Sequence, residues 1–192
     1  MQFRAFLDAN VLVGARERDV LLTLGEADLF DPLWSGGAIE EMLRHLPTSM
    51  DVAARSALLD SMNRAFPEAD VRWDHGVVVE VQQFINSKDH HIVASALWGH
   101  ADVLVTNDAA LRAEVERSGL IDPQASAEFV AYAIDVDVKA ATEALVSMVR
   151  DRWMPGLTDL PDAAVLARLS SWMDRGGWRA AAGIVEQVAH RL

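Results

Sequence analysis

Twice in this chain an apolar run of strand length stops at a carboxylate and gives way to helix-forming residues. The first is Phe6, Leu7 and Asp8; the second is the string VLVTND at residues 103–108, which ends on Asp108. Short apolar runs of this kind suit strands buried on both faces, as in a parallel sheet. A helix that begins directly after such a strand starts at the sheet's carboxyl edge. Two of these units deliver two acids to one edge, so the chain is constrained to an α/β fold with the makings of a site.

Composition narrows what that site could be. With 192 residues, 51% of them hydrophobic, the chain can bury a substantial core. No apolar run approaches the ~20 residues that a membrane span needs, and the amino terminus lacks a signal-type pattern, which gives the expectation of a cytoplasmic protein with no membrane partner. The chain contains no cysteine, which removes disulfides, a thiol nucleophile and thiolate metal sites. Any metal is left to oxygen or imidazole ligands, and hard cations are favoured. The formal charge of −12 argues against nucleic acid unless several acids are metal ligands whose charge the cations offset.

Along the chain, strands and helices alternate. Strands are predicted at 3–7, 29–34 (with Pro32 an imperfection), 71–73, 103–106 and 120–121. Helices are predicted at 11–25 with a break near Gly14, from Gly36 to the stop at Pro47, from a cap at Thr48 or Ser49 to about Phe66, at 77–84, at 89–98 and at 110–117. This order implies a mostly parallel five-stranded sheet covered on both faces. From Pro123 onward only helices are expected, on the stripes Val138, Ala141, Leu145, Met148, Val149 and Val165, Leu166, Leu169, Trp172, Met173. The division reads as a domain over 1–122 and a helical extension over 123–192.

Position in an element predicts position in space. Asp8 ends the first strand and Asp108 follows the 103–106 strand. Asp89 opens the helix leading into that strand, and Glu41 lies in the first turns of the helix after strand two. All four belong to one edge. If the strands before Asp8 and Asp108 are neighbours, the strand order reverses between them, where open α/β sheets bind ligands. Each acid alone also has a structural reading, as a helix cap, a helix-dipole partner or a solvated side chain. Together they would repel one another unless a cation relieved them, and Lys88 is the one base obviously placed to do so.

The strings FLDANVLV (6–13), IEEMLRHL (39–46) and KDHHIVASALWGHADVLVTND (88–108) resemble the PIN-domain ribonucleases, and within them the VapC-type toxins of bacterial toxin–antitoxin pairs. The resemblance covers about residues 3–122. It implies a PIN-like three-layer α/β fold and places the family's four acids on Asp8, Glu41 (with Glu40 as the alternative), Asp89 and Asp108. Ala9 stands where the family usually has Thr or Ser. It further implies Mg²⁺ or Mn²⁺ held between these acids and hydrolysis of RNA phosphodiester bonds, by an endoribonuclease that is the toxin of a type II pair. Asn10, Thr106 and Asn107 are expected to support the acids, and Arg16, Arg18, Arg44 and Arg112 are candidates for RNA phosphate contact. The expected partners are an RNA substrate, a cognate antitoxin with a basic side chain among the carboxylates, and a second copy of the chain.

Divalent ions on carboxylates can activate a water, neutralise charge on the phosphate and stabilise the leaving oxygen, so no side-chain nucleophile is required. Zinc is disfavoured: His90 and His91 point about 100° apart on a helix, and His45, His75, His100 and His190 lack ligand spacing. The six tryptophans could stack on bases, but their spacing suits a core. A haloacid-dehalogenase-type phosphatase would need an acid where Asn10 stands, and a receiver domain would need an Asp ending its third strand. A catalytically inactive PIN-like binding module is the non-enzymatic alternative, against which the full set of four acids argues.

Overall fold

The computed structural model describes residues 3–72, 81–82, 85–156 and 159–192. Two compact units divide the chain, one formed by Met1–Arg18 with Asp31–Ala125 and the other by Asp19–Phe30 with Ser126–Leu192. The first division falls inside the helix Ala15–Glu26.

The first unit holds a sheet of four strands, all parallel, flanked by helices. The strands are β1 (Arg4–Leu7), β2 (Asp31–Leu33), β3 (Val103–Val105) and β4 (Asp122–Gln124), in the order β2-β1-β3-β4. Beyond Arg4 the central pair is apolar: Ala5, Phe6 and Leu7 in β1 and all of β3 are fully buried, as strands covered on both faces require. Phe6 lies opposite Leu104 and Leu7 opposite Val105, so both strands end level. Pro32 is tolerated in β2 because the neighbouring Asp31 N–H already points to β1, donating to the Phe3 carbonyl. Successive N–H groups alternate sides, so the missing one at Pro32 faces away from β1.

Helix α1 (Ala9–Val13) starts directly after β1, and Gly14 separates it from α2 (Ala15–Glu26). Helix α3 (Gly36–His45) is capped by the Ser35 hydroxyl and buries Ala38, Ile39 and Met42 on one stripe. Helix α4 (Val52–Ala65) follows, then α5 (His90–Trp98) behind a 3₁₀ turn at Ser87–Asp89, and α6 (Ala109–Ser118) after β3. Phe6, Leu33, Ile92, Val93, Leu104, Leu111 and Val115 share one hydrophobic core with residues of these helices. At Gly99 the turn from α5 to β3 runs so close to its neighbours that a Cβ would sit 2.8 Å from Val71 Cγ2.

Several expectations are corrected. The sheet has four strands among the described residues, not five. Val71 and Arg72 lie outside any strand; instead Asp70 forms an isolated parallel bridge with Trp34, whose N–H and carbonyl meet Ala69 and Val71. The last strand is Asp122–Gln124 and not 120–121, because Leu120 and Ile121 turn their side chains onto the core cluster while the polar DPQ segment pairs with β3. Asp51, not Thr48 or Ser49, caps α4, its carboxylate accepting from Ala54 N at 2.7 Å. The expected helix at 77–84, with Trp73 and His75, falls outside the described residues in all but positions 81 and 82.

The second unit is helical. It comprises the Asp19–Phe30 segment, α7 (Ser126–Val136), α8 (Val138–Met148) continued by a π turn at Val149–Trp153, and the hairpin α9 (Asp162–Arg175) and α10 (Arg179–Ala189). Phe129, Ile134, Ala141, Leu145, Val165, Leu169, Met173 and Val185 are buried, and Phe30 meets Phe129 edge-on with centroids 4.8 Å apart. Trp153, Trp172 and Trp178 form a chain of edge-to-face contacts, and Asp19 accepts from both Trp153 Nε1 and Arg152. No helix among the described residues is long and apolar enough to cross a membrane.

Candidate active site at the carboxyl edge

The strand order reverses between β1 and β3, and the residue following each of these strands leads into the site. Asp8 caps α1, its Oδ1 accepting from Ala9 N at 2.7 Å. A cap needs only one oxygen. The other, Oδ2, accepts from the Thr106 hydroxyl at 2.7 Å and from Asn10 Nδ2 at 2.6 Å. Asp8 is nonetheless buried, 6% exposed, and burial raises its pKa above the ordinary value. The bonds from Thr106 and Ala9 oppose the rise; the charges of Glu41 and Asp89 add to it.

Asp108 is held in the opposite sense. Its Oδ1 caps α6 by accepting from Ala110 N at 2.8 Å and Leu111 N at 3.0 Å. Those backbone donors, Leu111 first, hold its carboxyl below the ordinary range against a smaller effect of burial, with Lys88 and Arg112 assisting. Asp89 stands at the start of α5 with no side-chain cap bond. Burial pushes its pKa up, Lys88 pulls it down, and Asp108 and Glu114 push it up again. Glu41 is half-buried on α3 and its charge bears on Asp8, whereas Glu40 is exposed.

The polar residues around β3 tie the edge together. Thr106 accepts from Asn10 Nδ2 at 2.9 Å and from Asp108 N at 3.2 Å, besides donating to Asp8. Asn107 N donates to Asn10 Oδ1 at 2.9 Å, and its side-chain amide donates to Glu17 Oε1 at 2.8 Å. Sequence reasoning missed Glu17; the signal available was an acid in the first turn after the break at Gly14. The arginines separate into two kinds. Arg18 is buried with its guanidinium on the Leu12 and Val13 carbonyls, and Arg112 donates to Thr106 O at 2.7 Å. Arg16 and Arg44 are exposed, Arg44 with a weak bond to Glu40 O.

Among the described residues no three His, Asp or Glu side chains are grouped as they would be to enclose one metal ion. The donor set nevertheless suits a hard divalent cation of the kind that uses one or two carboxylates and keeps several waters. A positive charge already stands there: Lys88 Nζ lies 3.5 Å from Asp89 Oδ2 and 3.8 Å from Asp108 Oδ2. No family model, no curated protein and no solved structure matches the chain.

Proposed function

We propose that the chain is a Mg²⁺- or Mn²⁺-dependent endoribonuclease of PIN-like, three-layer architecture, the toxin of a type II toxin–antitoxin pair, acting in the cytoplasm as a homodimer. The observation that carries this reading is the buried Asp8 carboxylate where the strand order reverses, more elaborately bonded than a cap needs, with Glu41 and Asp89 bearing on it and Asp108 beyond the neighbouring strand.

Asp8 and Asp108 would be the principal holders of the cation, with Asp89 and Glu41 completing its surroundings or acting on water. When bound, Mg²⁺ or Mn²⁺ supplies neutralising charge for the phosphate and lowers the pKa of water. The chain's own residues divide the remaining work. Asp108 stays ionised because α6 N–H groups favour its charged form. The Asp89 carboxylate, whose pKa is raised, is suited to take the proton from the attacking water, and Thr106 and Asn10 fix Asp8 Oδ2. Arg16 and Arg44 are the exposed cations proposed to meet RNA phosphates, while Arg18 and Arg112 hold backbone carbonyls.

Cleavage of RNA with added Mg²⁺ or Mn²⁺ tests the reading, comparing the wild type with Asp8→Asn and Asp108→Asn. The wild type is expected to cut and both variants to lose activity; variants that cut like the wild type sink it. Growth arrest on expression, relieved by the product of a neighbouring gene, tests the toxin role. The Lys88 ion pairs, which balance Asp89 and Asp108 without a metal, favour one rival: an inactive RNA-binding module. That rival predicts RNA binding with no cleavage under either cation.

A further inference from the structure

We infer that Lys88 is a built-in competitor for the divalent cation, its ammonium standing between Asp89 and Asp108 in the metal-free protein and leaving when the site loads. The inference rests on the reading of these acids as metal ligands. Its own support is geometric. Lys88 Nζ is within 4 Å of one oxygen from each acid, at 3.5 and 3.8 Å, so a single ammonium serves two carboxylates delivered by different elements.

The backbone beneath Lys88 is anchored while its head group is not. Asn86 caps the 3₁₀ turn, accepting from Lys88 N at 3.4 Å, and Asn86 N is itself tied to Glu114 Oε2 at 2.8 Å. The Lys88 side chain is 63% exposed. The long flexible stem can therefore swing its ammonium into water without disturbing the turn that carries Asp89. An ion pair this exposed is worth no more than a few-fold in an equilibrium constant. Such a pair relieves the repulsion between Asp89 and Asp108 when no metal is present, yet yields to a doubly charged ion. The consequence is a site tuned to weaker, less salt-dependent metal binding than its acids alone would give.

Calorimetric titration of the full chain with MnCl₂ tests this without reference to catalysis, using wild type, Lys88→Met, Lys88→Arg and Asp108→Asn at low and high KCl. Lys88→Met is expected to bind Mn²⁺ about two- to fivefold more tightly than wild type at low salt, with the gain shrinking as KCl screens the charge. Lys88→Arg, which keeps the charge, should stay near wild type. Asp108→Asn should bind far more weakly. If Asp108→Asn weakens binding but Lys88→Met leaves it unchanged or weaker, the competitor role is overturned and the metal site stands. If Asp108→Asn binds Mn²⁺ like the wild type, the metal reading fails and takes the role of Lys88 with it. Because Lys88 is exposed, loss of folding is not expected to obscure either result.

Discussion

The hydroxyl of Thr106 donates to Asp8 Oδ2 at 2.7 Å, a bond between residues 98 positions apart that joins the ends of the two central strands. It exists because β1 and β3 are parallel neighbours ending level, Leu7 opposite Val105, so the next residue of each chain segment meets the other. Of the hydrogen bonds that favour the Asp8 carboxylate, it has the largest effect on its ionisation. Thr106→Val should therefore raise the Asp8 pKa further and cost about 1 kcal/mol of stability, since the buried Oδ2 loses one of its two donors and keeps Asn10. The acid limb of the cleavage-rate profile should move to higher pH, and Thr106→Ser should restore it.

Asp108 combines a helix cap with a proposed metal ligand, and two substitutions separate these roles. Asn caps nearly as well as Asp, so Asp108→Asn should melt within a degree or two of the wild type, whereas Asp108→Ala should lose about 1 kcal/mol. Both should lack cleavage activity. Thermal melts and RNA cleavage on the same preparations check the pair.

The shifted carboxylates fix the sign of a pH effect. Burial first, and neighbouring acids after it, raise Asp8 above its ordinary 3.8 and Asp89 likewise, so their charged forms are penalised in the fold. Metal-free protein should thus gain stability from these two groups as pH falls from neutrality through their raised values. Asp108 works the other way: its lowered value contributes stability above 3.8 that is lost as pH falls through the lower, folded value. With Mn²⁺ present, protons compete for Asp8. The stabilisation by Mn²⁺ should begin to fade at a pH above that of an ordinary carboxylate, which melts with and without Mn²⁺ across pH 4–8 will show.

Arg18 and Arg44 should behave differently on truncation. Arg18→Ala strips buried donors from two α1 carbonyls and should cost about 1–3 kcal/mol while leaving RNA affinity of the folded protein unchanged. Arg44→Ala should leave the melting temperature nearly fixed. Loss of one phosphate contact should instead reduce the slope of log affinity against log salt by about 0.7 for single-stranded RNA. An unchanged slope would remove Arg44 from the RNA path.

The parts of this arrangement that were readable from sequence are those set by apolar runs and their endings. Phe6–Leu7 and VLV had to be buried parallel strands, and the acids after them had to share an edge. The break at Gly14 and the stripe Ile39, Met42 were equally plain. What escaped was polar or long-range. β4 is the segment DPQ, which carries no strand pattern and pairs through backbone groups alone. The cap at Asp51 was outbid by two nearby hydroxyls of similar propensity. The joining of Asn107 to Glu17 depends on side-chain reach between elements, which no local period encodes; Lys88, adjacent to Asp89 in sequence, was by contrast expected among the acids and is found there.

The chain passes from one compact unit to the other three times, after Arg18, after Phe30 and after Ala125. Neither unit is a continuous stretch of sequence. A recombination event with a single breakpoint cannot transplant the sheet and its acidic edge whole, because the Asp19–Phe30 excursion would travel with it, stripped of the helices with which it forms a unit. The Asp19–Phe30 segment, lying in sequence between Asp8 and Glu41, thus ties any single-breakpoint exchange of the acidic edge to a part of the helical unit.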